Sequence, residues 1–507
     1  MNIQRRTLLA AGAAAPLLAL AGPGLTRQPA IGIRPKVSGS ARPAALEDYK
    51  RAIAAMLALP LSDPRNWYRQ ALIHIMDCPH QNWWFLPWHR GYLARFEQIC
   101  AELCGNPQFR LPYWDYTESA TVPDAFFDAG LDPLGAPFRT DQAALMAELL
   151  AGLTPWWNAA SAETKAELAK RSLNRPEDVV ARATRAWRGQ GRTPTRAAPA
   201  LDRSTARMVS TETVSAAIRT PTFTSFASAA AGDHHQMVRS GLLESAPHDN
   251  IHIGTGGFMG AFMSPVDPLF WLHHANLDRL WDIWQRRQAN GGTDPLPTGS
   301  ERTRFEAEPF LTFCDGKGQP APAQAGGCLS TAALGYAYEA GSLEGLASTP
   351  SPLRNFNSRL LASSVGREVQ LRRGLESALV LAVPRASFAP ALSPTETGEL
   401  VTEIQLTPPA NAADARIRVY VNCPYLSQYT PVDDPHYVGT LSFFGAQHHE
   451  EHSMSQTFTL ALGPALTALG EDGRLPVSAI RVQLIPDSEA DAGVLGGVLE
   501  EVSIAVR

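Results

Sequence analysis

Two sets of three histidines constrain this 507-residue chain more than any other feature. One set is His74, His80 and His89; the other is His248, His252 and His274. Each set has one member on a helix crowded with aromatics. In "WHRGYLARFEQICAELCG", Trp88, Tyr92, Phe96, Ile99 and Leu103 recur at helical spacing, and Gly105 ends the run. In "DPLFWLHHANLDRLWDIWQRRQANGG", Pro268 occupies the first turn and Gly291–Gly292 ends the run. There His274 falls on the inward side with Phe270, Leu277 and Trp281. His248 and His252 are four apart, so on a helix they share a face. Chance alone gives about a third of one His-x-x-x-His pair at this histidine content, so that spacing is weak evidence by itself. Buried imidazoles among aromatics, however, need partners for their ring nitrogens, and a metal supplies one. The pattern predicts two three-histidine metal sites facing each other inside a helical bundle.

The donor set narrows the metal. All six candidates are imidazoles, which suit Cu, Zn, Fe and Ni. No Glu-x-x-His occurs, which disfavours a carboxylate-bridged di-iron site, and no His-x-His occurs, against a multicopper oxidase. Three nitrogens per ion leave room for an exogenous ligand. The formal charge of −5 and the lack of a long basic run exclude a nucleic-acid track. "HHEEH" at 448–452 is not in zincin order and reads as a solvated loop.

The N-terminus pairs Arg5 and Arg6 with a short alanine-rich apolar stretch and a small-residue cleavage signal near Ala21. This fits a twin-arginine export signal over 1–27, and so a periplasmic or secreted protein of bacterial source with no stable membrane insertion after removal. Six cysteines are too few for a disulfide scaffold. Cys314 and Cys328 flank a Gly/Pro/Ala loop and could bridge after export. Cys100 and Cys104, one helical turn apart, are expected free and buried.

A mainly helical domain is expected over 28–290 and a Pro/Gly/Ser-rich linker over 291–360. The linker should lie packed on the surface, because Phe305, Phe310, Phe313, Tyr336 and Tyr338 need burial. From about residue 366, eight segments alternate at period two with turn residues between them, from "VQLRRG" to "EEVSIAVR". They predict an all-β sandwich or barrel over 361–507.

"HIMDCPHQNWWFLPWHRGYL" with "PHDNIHI…DPLFWLHHANLDRLW" resembles the binuclear type 3 copper proteins: tyrosinases, catechol oxidases and, more distantly, hemocyanins. "FEAEPFLTFCDGKGQ", "LGYAYE" and "IRVYVN…YVGTLSFFGAQHHEEH" are similar to the linker and C-terminal domain of plant-type polyphenol oxidases. The resemblance implies a di-copper four-helix bundle, with His74, His80 and His89 on one copper ion and His248, His252 and His274 on the other. His273 would then stand behind the ligands. Cys78, two residues before His80, would form a thioether to that imidazole. Trp83, Trp84, Phe85 and Trp88 would build a dry wall around the site.

The implied activity is oxidation of o-diphenols to o-quinones with O2, and ortho-hydroxylation of monophenols. Glu244 matches a glutamate that holds a water in plant-type enzymes. Asp249 stands where many strong tyrosinases carry Asn. It could orient that water as a base, repel an anionic phenol, or simply cap a helix start. Phe262 matches the aromatic over the copper pocket, Ile253 would line the entrance, and Phe270 would pack on a ligand ring. The C-terminal domain can hold such enzymes latent. A hemocyanin-like O2 carrier and an o-aminophenol oxidase use the same sites and remain alternatives.

Overall fold

The computed structural model describes residues 31–38, 42–294, 296–350, 358–393, 398–408, 415–444, 455–487 and 494–507. The export-signal segment and His448, His449 and His452 lie outside them.

Four helices frame the first domain's centre: Trp67–Asp77, Phe85–Leu103, Asp249–Thr255 and Leu269–Asn290. Asn66 caps the first by accepting from the Tyr68 N–H. The second begins where Asn82 Oδ1 accepts from the Trp84 N–H at 2.9 Å, and Gly105, at φ 71°, turns the chain away after it. Nearly every residue of the Leu269–Asn290 helix up to Trp284 is buried, the polar His273, His274, Asn276, Asp278 and Arg279 included. It is locked to the second helix by Asp278, which pairs with Arg90 and Arg34 and accepts from Tyr336 and Tyr338. The segment 291–350 runs along this bundle with Phe305, Phe310, Phe313 and Tyr336 buried, as expected, and Tyr338 half-buried. Cys314 and Cys328 do not bridge. Both are free, as are the other four cysteines; Gln70 donates to Cys314 Sγ, and Cys328 Sγ packs against Gly91. No helix among the described residues is long and apolar enough to cross a membrane.

All eight expected strands form, and they build two four-stranded antiparallel sheets. One orders Gln456–Ala461, Leu400–Thr407, Val494–Val506 and Arg359–Arg372; the other orders Ser377–Ala382, Ala479–Pro486, Arg416–Val421 and Tyr437–Ser442. Their facing sides share one core.

The two domains interlock. Met208 and Ala246 pack into the β core, and Phe444 packs into the helical one. Polar groups match across the seam: Thr457 O accepts from the Ser240 N–H at 3.0 Å, and Arg239 pairs with Glu403 at 2.6 Å. Asn250, between His248 and His252, bonds to both domains. Its Nδ2 donates to the carbonyls of Ser245, Ala246 and Thr440, and its Oδ1 accepts from Ser442 Oγ at 3.0 Å. Asn250→Ala strands buried groups in both domains. It is expected to cost about 2–3 kcal/mol, read as a lower melting temperature of the intact chain.

Candidate metal centre

The bundle brings both histidine sets to its centre. His74 comes from the end of the first helix, His80 from the loop after it, and His89 from the second helix. His252 and His274 come from the other two helices. The structure departs from the sequence reading at His248, which is not on one regular helix with His252. Glu244–His248 form a wider π-helical turn with Pro247 inside it, and the α-helix starts only at Asp249. Proline removes an N–H and loosens the regular ladder, and such turns concentrate at functional sites.

Ring orientation is fixed from behind. His74 Nδ1 donates to Phe262 O at 2.9 Å, His89 Nδ1 to Phe85 O at 2.7 Å, and His252 Nδ1 to Met259 O at 2.7 Å. His248 Nδ1 lies 2.8 Å from Asp249 Oδ1. With Nδ1 holding the proton, each Nε2 is left as a lone pair, the tautomer a metal ligand needs. Burial, reinforced for most by the neighbouring imidazoles, pushes all six rings far below the usual histidine range; His89 and His252 fall to about 3. All are therefore neutral at pH 7.

These inward nitrogens fit metal ions. His74 Nε2 and His248 Nε2 are buried without any hydrogen-bond partner. His252 Nε2 and His274 Nε2 converge to 3.3 Å. Two imidazole ligands about 2.0–2.1 Å from a tetrahedral ion stand roughly that far apart. The donor atoms of His74, His80, His89 and Cys78 all lie within 4.8 Å of one another, as do those of His248, His252, His273 and His274. The inclusion of His273 goes beyond the sequence reading. It is fully buried with both ring nitrogens unpartnered.

Cys78 Sγ lies 3.6 and 3.8 Å from the two nitrogens of His80 and 3.5 Å from His89 Nε2. Burial pushes its thiol pKa up, so it stays protonated. Glu244 is buried beside both sets, its carboxylate within 4.8 Å of ring nitrogens of His80 and His248. It accepts from the Gln81 N–H at 2.8 and 3.0 Å and from Ser228 Oγ. To reach it, Gln81 adopts φ 56°, a left-handed conformation that a non-glycine residue takes only when surroundings impose it. Burial, against those donors, pushes Glu244 up to about 8. Burial and then the Glu244 charge push Asp249 well above the usual carboxylate range. Asp249 begins its helix, yet its side chain faces the His248 ring and makes no cap bond.

The walls are aromatic. Phe262 sits 5.0 Å from His80 and 5.3 Å from His74, and Phe270 4.2 Å from His274. Phe85 touches His89 and His248, each at 4.8 Å, and Trp88 lies 5.0 Å from His89. Ile253 is half-buried at the edge of this core. One wall was missed by sequence reasoning. Phe444, from the β domain, stacks on His252 at 3.9 Å and 19°, with its ring 5.3 Å from His80 and 5.4 Å from both His248 and Phe262. Its signal lay in "SFFG". Phe443 faces the sandwich core, so its neighbour must face outward, and an outward phenylalanine needs cover from elsewhere.

Comparison with known proteins agrees with this construction. Residues 64–287 match the common central domain of tyrosinase, and residues 372–500 match the C-terminal domain of chloroplastic polyphenol oxidase. The chain is 28% identical to a chloroplastic (+)-larreatricin hydroxylase of Larrea tridentata over 90% of its own length and 75% of that protein's. It is 24% identical to a tyrosinase of Hahella sp. over 88% and 93%. Its fold superposes on latent apple tyrosinase with a TM-score of 0.59 at 20% identity, covering 97% of this chain and 99% of that one. A tyrosinase domain followed by a plant-type polyphenol oxidase C-terminal domain, with six buried imidazoles converging in the first, makes this chain a member of the tyrosinase and polyphenol oxidase family.

Proposed function

We propose that the chain is a copper-dependent phenol oxidase, converting o-diphenols to o-quinones with O2 and also hydroxylating monophenols at the ortho position. The observation that carries this is the convergence of two imidazole trios, in which His74, His89 and His252 donate outward to carbonyls and His248 sets Nδ1 against Asp249, leaving their Nε2 lone pairs inward. His74, His80 and His89 would hold one copper ion, and His248, His252 and His274 the other. The copper pair, when bound, would supply the binding and reduction of O2; two diphenols give two quinones and two waters per O2.

The chain's own groups do the rest. Carbonyls of Phe262, Phe85 and Met259 hold three rings in register. Phe85, Trp88 and Phe270 keep water out. Phe262 faces an incoming phenol ring, and Ile253 shapes the rim. Glu244, fixed by the Gln81 N–H, is the carboxylate placed to take a phenolic proton at Oε1 or Oε2, while Asp249 steadies His248 from its Nδ1 side. Cys78 lies against the His80 ring, within reach of a thioether; loss of two hydrogens in the intact mass of the copper-treated chain would report it.

The covered pocket also suits a reversible O2 carrier, whose site admits O2 and excludes phenols. One assay separates the readings. Purified chain is given two equivalents of Cu(II), and O2 uptake is followed with catechol, L-tyrosine and 4-hydroxybenzoate, before and after limited proteolysis. Uptake with catechol and a monophenol is the expected result. Uptake with catechol alone would restrict the function to diphenol oxidation. Reversible O2 binding without phenol turnover, even after proteolysis, would make it a carrier.

A further inference from the structure

A histidine outside both trios ties the first of them together. His234 is 1% exposed. Its Nδ1 lies 2.6 Å from Glu308 Oε1 and its Nε2 2.9 Å from Asp77 Oδ1; its backbone N–H donates to the same Glu308 oxygen at 3.0 Å. A neutral imidazole has one N–H and can satisfy one of those carboxylates; an imidazolium satisfies both. Burial opposes that charge, but Asp77 and then Glu308 outweigh it and raise the ring above its ordinary range.

The contacts reach all three segments that present the first trio. Asp77 ends the helix of His74. Its Oδ2 accepts from Trp88 Nε1 and from Thr312 Oγ1, each at 3.0 Å, and Trp88 immediately precedes His89. His234 O accepts from Asn82 Nδ2 at 3.0 Å, two residues past His80. Among the described residues, neither the His252 helix nor the His274 helix hydrogen-bonds to Asp77, His234 or Glu308. The geometry of Asp77, His234 and His235 also admits a metal ion. That reading fails here. Both nitrogens of His234 are taken by carboxylates, and Arg171 donates to His235 Nδ1 and to the carbonyls of Asp77 and Cys78, so a cation already sits there.

We propose that His234, as an imidazolium clamped between Asp77 and Glu308, is a positioning residue for the first copper ion, fixing His74, His80 and His89 relative to one another. This rests on the copper reading given above. The test uses full-length chain, wild type and His234→Gln, with Glu308→Gln as a milder variant that leaves the imidazole in place. Each is loaded with Cu(II), exchanged against a competing chelator, and examined for copper content and by electron paramagnetic resonance. Two Cu(II) ions coupled through a bridge are silent; a lone Cu(II) is not.

Wild type should keep two ions and stay silent. His234→Gln should weaken the first ion about 10- to 100-fold, keep one, and show a mononuclear signal that disappears when His274→Ala is added. Glu308→Gln should shift the same way by less, and it decides the matter if His234→Gln does not fold. Retention of two silent ions in both variants would overturn the proposal, as would parallel loss of both ions, the mark of general destabilisation. Failure of wild type to bind copper would instead overturn the copper reading, and the proposal with it.

Discussion

Phe444→Ala should switch on catechol oxidation in the uncleaved chain. The Phe444 ring lies where a phenol would have to lie, stacked on His252 and edge-on to Phe262, with His80 and His248 within 5.4 Å. A substrate entering the intact protein must first expel it. Withdrawing a buried phenylalanine from such a pocket costs about 2–3 kcal/mol, and each 1.4 kcal/mol is a factor of ten. The variant is therefore expected to raise kcat/KM for catechol roughly 10- to 100-fold in full-length chain. After proteolytic removal of residues beyond about 360, wild type and variant should be alike. The vacated space is that of one benzene ring, so the gain should be large for monocyclic phenols and small for bicyclic ones. If the uncleaved variant is as slow as wild type, the body of the β domain, not this side chain, closes the pocket. Unfolding measurements must accompany the assay, because the same substitution removes packing between the two cores.

Phe444 also marks where the sequence stops being informative. The helices that carry His89 and His274 were legible because aromatic periodicity and terminal glycines agree, with a first-turn proline in the second. The eight strands were legible for the same reason: alternation and turn residues recur without conflict. Six imidazoles could be grouped because each trio ends on such a helix. What could not be read depends on groups far apart in the chain. Glu244 is fixed by the Gln81 N–H, 163 residues away, and His234 is satisfied by Asp77 and Glu308, 157 and 74 residues away. Neither contact leaves a local pattern. The π-helical turn at Glu244–His248 was hidden because i, i+4 spacing looks the same whether or not the ladder is regular. A bridge between Cys314 and Cys328 was suggested by loop composition alone, and the fold instead turns the first toward Gln70 and the second toward Gly91.

The adjacent pair His273–His274 carries the other large effect. Both rings have donor atoms within 4.8 Å of those of His248 and His252, so proximity alone does not choose between them. Orientation does. His274 Nε2 meets His252 Nε2 at 3.3 Å, its ring stacks on His89 at 4.2 Å and 6°, and Phe270 braces it at 4.2 Å. His274 Nε2 thus converges with His252 Nε2 on the place where the second ion would lie. The His273 ring lies 4.9 Å from His252 and 5.6 Å from both His248 and Tyr116, and neither of its nitrogens makes a comparable contact. His274→Ala should therefore abolish phenol oxidation, by about 10³-fold or more, since removing a ligand to an ion that polarises the reacting oxygen forfeits several kcal/mol. It should also leave one copper ion per chain. His273→Ala should keep both ions and lose about 10- to 100-fold, the usual effect of a group supporting the ligands. Copper content and catechol turnover, measured on the same two variants, decide the assignment. Were His273→Ala the one to lose an ion, the roles would exchange. His273 would then be the third ligand of the second site, and His274 the imidazole lodged between the two ions.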